Sequence, residues 1–493
     1  MNFIDKTVAF FDPQKGLERS LYRNMIADAE NKYRQLKWTS RHKNLEVEIG
    51  SEDQEIDEYD RIKVTSTMRY FYAENPMVQG IVETIKDNTC GPDGPALQIQ
   101  TKDEALNNKI ETWWKDYSSE CEGRGLLNFG EIIRMNCQDQ VLVGDMGNVF
   151  SDGKIILVET DRISTPPEQA GNDNVIHGVQ LQKPLGIHSG YYVGSRGKGI
   201  GQIENHKYIS AENFYLHMRL HRADSNRGRS ELFPNIENLY DLDEYLQAEK
   251  MAAKFAAIFV IKKTTKNQNG DNTNGFFGKM ASSSSSSSDA SFNDKFSRIK
   301  VGSAIATELR PEEDISVMEN KRPGSQFTPY VEMLSRLIGV GVRLPIELVL
   351  LNYKDASFSS IRAAFNEAQR NFKARQSNLK KLCTWIFKKR LNLALVSGEL
   401  SIPQEYLPLP LEWQFPGWEF ISPKEEVEAS KLAIDYEISN AKIECARLGR
   451  DECTVAAQRK KELDYKKANE IPVTIGSPGV AIINVPELRK IQG

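Results

Sequence analysis

The chain lacks any run of the ~20 apolar residues that a bilayer span requires, and Met1 to Glu18 lacks the charged-then-apolar opening and small-residue cleavage site of a secretion signal. A product made and used without export is expected, with no membrane partner. Cysteine is sparse: Cys90, Cys121, Cys137, Cys383, Cys445 and Cys453 stand singly, with no C-x-x-C pair and no metal-ligand spacing, so reduced thiols are expected. A dominant charge is missing as well. Lys plus Arg is 64 against 68 for Asp plus Glu, a net of −4, and the isoelectric point is near 6.0. Domains that grip nucleic acid often exceed about 9, so any contact with DNA should be local or slippery.

Catalytic patterns are also missing. Gly197-Lys198-Gly199-Ile200-Gly201 completes neither of the glycine-rich phosphate-binding patterns, and His217 and His221 form His-x-x-x-His without the Glu that a zinc protease uses as base. There is no Gly-x-Ser-x-Gly elbow, and paired carboxylates occur only in charged runs such as Glu312-Glu313-Asp314. The chain therefore reads as a non-enzyme with no cofactor and no metal. If it serves DNA movement, the motor is another protein.

What is present is length and core: 493 residues, 40 % of them hydrophobic, enough for two to four domains of roughly 100 to 200 residues. Residues 1–60 read as a polar arm, in which the acidic run Glu46, Glu48, Glu52, Asp53, Glu55, Asp57, Glu58 and Asp60 is expected to be solvated. Met68, Phe71, Tyr72, Met77, Ile81 and Ile85 recur at helical spacing, and Asn75-Pro76 divides them into two helices. From Ala96 to Met218 the pattern is α+β. Strands are predicted at Ala96–Gln100, Val141–Val143, Lys154–Val158, Val175–Leu181 and Phe214–Met218, with helices carrying Trp113-Trp114 and Ile132–Asn136.

A helix is predicted from Pro234, whose fixed φ suits a first turn, to about Phe259. Its stripe Ala248, Ala252, Ala256 suits either close packing against a neighbouring subunit or packing within one chain. Asn267 to Asn274 and seven consecutive serines, Ser282 to Ser288, cannot bury apolar surface. Strand-like Arg298–Val301 and Ile315–Met318 follow, so a small β protrusion is expected there. A second helix spans Pro329 to about Gly339, a loop runs from Gly341 to Phe358, and a long helix covers about Ser359 to Val396. That helix carries Arg362, Arg370, Lys373, Arg375, Lys380, Lys381, Lys388, Lys389 and Arg390 against Glu367 alone, a net of +8, with Phe365, Phe372, Trp385 and Phe387 interleaved. The cations could meet phosphate, since Lys and Arg displace condensed counterions, or acidic surfaces of an adjacent subunit. Ser422-Pro423-Lys424-Glu425 reads as a capping box opening a helix to about Leu448, with Gly449 closing it and a second helix from Asp451 completing a hairpin.

Several blocks, in order, resemble the lambda-type phage portal family. Met68-Arg69-Tyr70-Phe71-Tyr72 with Glu74-Asn75-Pro76 is similar to its early helix pair, and Gly144-Asp145-Met146-Gly147-Asn148-Val149 to its strand after a Gly-acid pair. Thr160-Asp161-Arg162-Ile163-Ser164-Thr165-Pro166 is similar to its Asp-Arg-x-Ser-Thr-Pro turn, and Arg227-Gly228-Arg229-Ser230 before Leu239–Tyr245 to its Arg-Gly-x-Ser block. Tyr353 to Glu367 resembles its Tyr-Ser-Ser-x-Arg-Ala-Ala-x-x-Glu signature, and Pro416 to Glu425 its Pro-x-Trp turn. The insert between Lys266 and Asp289 stands outside that pattern.

The resemblance implies an α+β portal fold with wing, stem, clip and crown, assembled as a twelvefold ring. Laid on this chain, residues 61–230 would form the wing, 231–260 the first stem helix, 261–325 the clip with its Asn/Ser-rich loop, and 326–341 the second stem helix. Residues 342–358 would be the channel loop, 359–421 the long basic helix and wing return, 422–470 the crown hairpin and 471–493 a tail. It implies a virion component at one capsid vertex, assembled in the host cytoplasm, through which double-stranded DNA is packaged and ejected without regard to sequence. The implied partners are the terminase large subunit, a head-completion or adaptor protein, and the major capsid and scaffolding proteins. In the channel loop Asn352, Tyr353, Lys354 and Ser357 are the residues expected to meet passing DNA, unless the loop faces solvent without reaching the axis. Replacing Lys388, Lys389 and Arg390 with Glu is expected to impair ring assembly. A metal-dependent DNA-processing enzyme and another head-tail connector component are the competing readings.

Overall fold

Asn75 ends one helix and starts the next, as its position before Pro76 requires. Its N–H closes α2 (Glu58–Glu74) on the Phe71 carbonyl at 2.8 Å, while its Oδ1 accepts from Met77 and Val78 N–H at the head of α3 (Pro76–Cys90). The computed structural model describes residues 50–199, 201–257, 261–265, 313–317, 326–354, 357–418, 422–450 and 452–469. These fall into two compact units, one formed by the chain up to Glu237 and again from Ser335, the other by Asn238–Leu334.

In the first unit α1 (Glu52–Glu55) precedes α2, and β1 (Ala96–Ile99), α4 (Glu104–Ser119) and α5 (Phe129–Leu142) follow α3. A three-stranded sheet has the order β3 (Lys154–Glu159), β2 (Asp145–Ser151), β8 (Phe214–Met218). A four-stranded sheet runs β4 (Val175–Ile176), β5 (Val179–Gln182), β6 (Ile187–Arg196), β7 (Ile203–Ser210). All pairings are antiparallel, and Val149, Val158, Val179, Tyr191, Val193, Phe214 and Leu216 share one buried cluster. Gly147 admits the Phe214 ring, since a Cβ there would lie 2.5 Å from its Cζ.

The long helix, labelled α9 (Phe358–Ser397), has 40 residues and buries Ala368, Phe372, Arg375, Leu379, Leu382, Ile386 and Ala394 at spacings of three, four or eight, the stripe of a core-facing helix. It packs on α3 and α5. Trp114, Phe129, Phe387 and Trp413 form an aromatic knot with centroids 5.1 to 6.4 Å apart, tying α4, α5 and α9 to β11 (Leu411–Gln414), which pairs with β1. The second unit contains the body of α6 (Ile236–Ala257), the antiparallel pair β9 (Ile261–Thr265) and β10 (Glu313–Val317), and the start of α7 (Phe327–Val342). There Tyr245 stacks on Phe327 at 5.8 Å and meets Tyr330 edge-on at 4.6 Å.

Several expectations need correction. Val141-Leu142-Val143 is the end of α5, not a strand: Asn128 and Glu131 close a capping box at its start, and Gly144, at φ 108°, stops it. Short apolar runs cannot be told apart by periodicity. The run Gly341–Phe358 is not all loop but contains α8 (Ile346–Leu350). Val175–Leu181 is two short strands around a turn at His177-Gly178. The acidic run is not a solvated arm where it is described. Glu52, Asp53 and Asp60 are buried, and α1 carries its own capping box. At Ser422 no side-chain cap forms, and the segment from there splits into α10 (Pro423–Asp435) and α11 (Ala441–Arg447) around Glu437 at φ 56°. Gly449, at φ 70°, does close α11 before α12 (Glu452–Ala468). Residues 1–49, the 266–289 insert with its serine tract, the strand expected at Arg298–Val301, Asp355 and Ala356, and the tail 471–493 lie outside the described residues.

Candidate functional site

Two of the motif blocks, far apart in sequence, interlock. A Cβ on Gly228 would lie 2.0 Å from the Gly144 carbonyl oxygen, and one on Gly144 would lie 2.5 Å from Arg229 backbone. Only glycines permit that approach. The contact delivers Arg227 into the interior, where its guanidinium donates to Asp145 at 2.8 and 2.9 Å, to the Ile163, His177 and Thr160 carbonyls, and to Thr160 Oγ1. Gly228 N–H also donates to Asp145, at 2.9 Å. Burial alone would push the Asp145 carboxyl up, but Arg227, and then Arg61 at 3.6 Å, outweigh it and hold it below the usual carboxylate range. Burial and the neighbouring Arg227 in turn bring Arg61 down to about 10.

The α1 carboxylates dock on the same arginine-rich segment. Glu52 accepts from Ser225 and pairs with Arg229 at 3.3 Å, Asp53 accepts from Asn226 N–H at 3.1 Å, and Glu55 meets Arg222 at 2.9 Å. Glu58 accepts from Thr165 N–H at 2.8 Å, reaching the Asp-Arg-x-Ser-Thr-Pro turn. Sequence reading missed this lock entirely. The only available signal was that an acidic cluster near the start faces an arginine cluster at Arg219–Arg229.

The expected channel-loop residues Asn352, Tyr353, Lys354 and Ser357 lie exposed on the segment between α8 and α9. Its root is tied by hydrogen bonds: Asn371 of α9 donates to the Val342 carbonyl at 3.2 Å, Asn235 donates to the Ile338 carbonyl at 3.1 Å, and Leu344 N–H donates to the Gly339 carbonyl at 2.8 Å. Leu351, at φ 50°, ends α8. Asn352 Oδ1 accepts from Lys354 N–H at 3.1 Å, the Tyr353 ring lies 6.4 Å from Phe365, and Ser357 Oγ accepts from Ser360 N–H at 3.3 Å as N-cap of α9. No anion among the described residues pairs with the Lys354 ammonium. Leu351 and Phe358, which flank it in sequence, are 63 % and 54 % exposed, and Val340, near the end of α7, is 73 % exposed.

Of the nine cations of the long helix expected to meet phosphate or an adjacent subunit, several are committed within the chain, Arg375 most completely. Arg375 is buried and forks onto Glu231, at 2.8 Å for one of its bonds; Glu231, which burial alone would push up, is held low by that partner. Arg390 forks onto Glu399 at 2.7 Å and lies over the Trp113 and Tyr117 rings at 5.1 and 5.0 Å. Lys373 sits over Trp418, Lys389 donates to Asn213, Arg370 pairs with Glu367, and Arg362 lies within 4.0 Å of Glu425 and Glu426. Lys381 and Lys388 are exposed and Lys380 half-buried, without an ion pair among the described residues. Of the interleaved aromatics, Phe372 and Phe387 are core, and Trp385 packs on Tyr215.

Among the described residues, no three His, Cys, Asp or Glu side chains come together to hold a metal ion, and no helix is long and apolar enough to cross a membrane. His217 is buried with Nε2 3.3 Å from Gln140 Oε1, and burial brings it down to about 4.

The family model described as phage portal protein, lambda family, matches residues 39–376. The chain belongs to that family, whose members are structural components of phage and phage-like particles. It is 23 % identical over 420 residues to the portal protein of Escherichia phage N15, covering 76 % of this chain and 77 % of that one. It is 22 % identical to portal protein B of Escherichia phage lambda, covering 63 % and 62 %. With the probable portal protein of Halomonas phage phiHAP-1 it shares 23 % identity, covering 55 % of this chain and spanning about half, 51 %, of that relative. A solved neck of a native GTA particle, computed with C12 symmetry, gives a TM-score of 0.48 at 14 % identity over 79 % of this chain and 93 % of that one.

Proposed function

We propose that this chain is the ring-forming subunit of the portal vertex, a non-enzymatic conduit through which double-stranded DNA enters and leaves the capsid. The observation that carries this reading is the family match over residues 39–376. The exposed loop bearing Asn352, Tyr353, Lys354 and Ser357 supports it, because a solvent-facing cation without an ion pair among the described residues can meet any phosphate without reading sequence. Twelve copies of a −4 chain would carry −48, so passing DNA would have no global reason to adhere.

In this reading residues 61–230 with 359–421 form the wing, α6 and α7 the stem, 261–325 the clip, 342–358 the channel loop and 422–470 the crown. The clip engages the terminase large subunit during filling and a head-completion or adaptor protein afterwards, while the wing faces major capsid and scaffolding proteins. Val340, Leu351 and Phe358 supply apolar surface for an adjacent copy to cover. A packaging assay tests the proposal. Capsids assembled with this chain should protect DNA from nuclease once terminase and ATP are added, and capsids assembled without it should not. Equal protection with and without the chain would overturn it.

A further inference from the structure

Arg61, on α2, is a cation with most of its donors uncommitted. Its Nη2 donates to the Gly228 carbonyl at 2.6 Å, and among the described residues its guanidinium makes no other hydrogen bond. Asp145 lies 3.6 Å away but is already saturated. That carboxylate accepts twice from Arg227, once from Gly228 N–H and once from Thr160 Oγ1, which uses roughly the four acceptor sites a carboxylate offers. Asp53, the next carboxylate to act on Arg61, accepts twice from Asn226.

Beside Arg61 lies a cavity of about 20 Å³ with an apolar wall of Ile56, Val64 and Phe233. Arg61, Thr65 and Arg229 supply its polar side, and no carboxylate among the described residues lines it. Arg229 Nε is buried without an acceptor, because Arg229 reaches Glu52 through Nη1 at 3.3 Å and lies over the Phe233 ring at 5.3 Å. The two other hydroxyls in the wall are committed: Thr160 Oγ1 donates to Asp145, and Ser230 Oγ donates to the Val141 carbonyl at 3.4 Å. The uncommitted polar groups are thus two guanidiniums and the Thr65 hydroxyl, and a buried donor without an acceptor is costly.

Such a wall selects a particle that only accepts and carries negative charge. The volume admits one particle of about the size of a water molecule, so a monatomic anion fits and a tetrahedral oxyanion does not. A second cavity of about 20 Å³ on Arg61 makes the contrast, since Glu58 and Asp161 line it and repel an anion. Negative charge in the first cavity would also offset the burial and the Arg227 repulsion that bring Arg61 down.

We propose that one chloride ion binds in the first cavity, between the Arg61 and Arg229 guanidiniums and the Thr65 hydroxyl, and ties α2 to the Arg-Gly-x-Ser block. The inference does not depend on ring formation or DNA transport. Thermal melts of the full chain at fixed ionic strength, with sodium chloride replacing sodium gluconate, test it. An ion that binds only the folded chain raises the midpoint with its concentration. For a body of roughly 300 residues the rise is about 2 °C per tenfold chloride above the dissociation constant. Arg61→Met and Thr65→Val should flatten that slope, while Lys388→Glu, on an exposed side chain, should keep it. No slope in the parent, or equal slopes in the parent and both cavity variants, would overturn the proposal. If Arg61→Met does not fold, Thr65→Val decides the matter. Crystals grown in sodium bromide give the direct reading: an anomalous peak between Arg61 and Arg229 is expected, and density there without anomalous signal is water and overturns the chloride site.

Discussion

Replacing Arg227 with Met removes six hydrogen bonds and leaves Asp145 buried with only Arg61, 3.6 Å away, as a counter-charge. Breaking a buried pair by removing one partner costs about 3 to 5 kcal/mol, because the remaining charge stays uncompensated. At about 2.1 cal/mol/K of unfolding entropy per residue, a body of roughly 300 residues shifts by about 1.5 °C per kcal/mol, so the thermal midpoint should fall by about 4 to 8 °C near pH 7. The acid dependence gives a second reading. The Asp145 carboxyl is held below its ordinary value in the folded chain. Its contribution is therefore complete above the unfolded value of about 4 and is lost as the pH falls further, through the folded value. The gap between Arg227→Met and the parent should narrow below about pH 4. Adding Asp145→Leu should recover most of the loss, since an apolar pair can replace a buried ionic one. Circular dichroism melts from pH 3 to 8 check all three. A midpoint change under 2 °C, or a gap that does not narrow in acid, would refute the claim that this pair locks the motif blocks together.

Asp139 should behave in the opposite sense. Burial pushes its carboxyl up to about 7, with Glu159, Asp145 and Asp161 adding to the rise and Arg69 opposing it. The folded chain then holds a proton the unfolded chain releases, so stability falls as pH rises from about 4 to about 7. Asp139→Asn should be near neutral at pH 4 and gain up to about 4 kcal/mol at pH 8, read by denaturant midpoints at the two pH values. Arg390→Glu should lower the melting temperature of the isolated chain, because Arg390 is committed to Glu399, Trp113 and Tyr117. Lys388→Glu, on an exposed side chain, should change it by no more than about 0.5 kcal/mol. Lys354→Glu should likewise leave the melt unchanged while slowing DNA uptake in the packaging assay. Thiol titration of the native chain should modify Cys445 and Cys453 well before the buried Cys90, Cys121, Cys137 and Cys383.

Local chemistry was legible where one residue dictates geometry. Asn75-Pro76 announced the helix break, Gly449 the close of α11, and the apolar run Phe214–Met218 a strand. The strands β6 and β7 were not legible, because Gly190 and Gly194 interrupt the alternation of Ile187–Arg196. The structure uses those glycines to admit Tyr208 and Ile203, whose side chains a Cβ would meet within 2.4 Å. Charge was the least legible feature, since a count of cations does not reveal their partners. Arg375 and Arg390 look like their neighbours in the sequence, yet Glu231 and Glu399 hold them inside one chain. The acidic start misled for the same reason: Glu52 and Asp53 meet Arg229 and Asn226, more than 170 residues away.

Negative-stain electron microscopy of the purified chain, with rotational class averaging across salt and protein concentration, tests the portal reading most directly. Rings with a central hole and about twelve subunits are the expected result. A monodisperse monomer under every condition would contradict it.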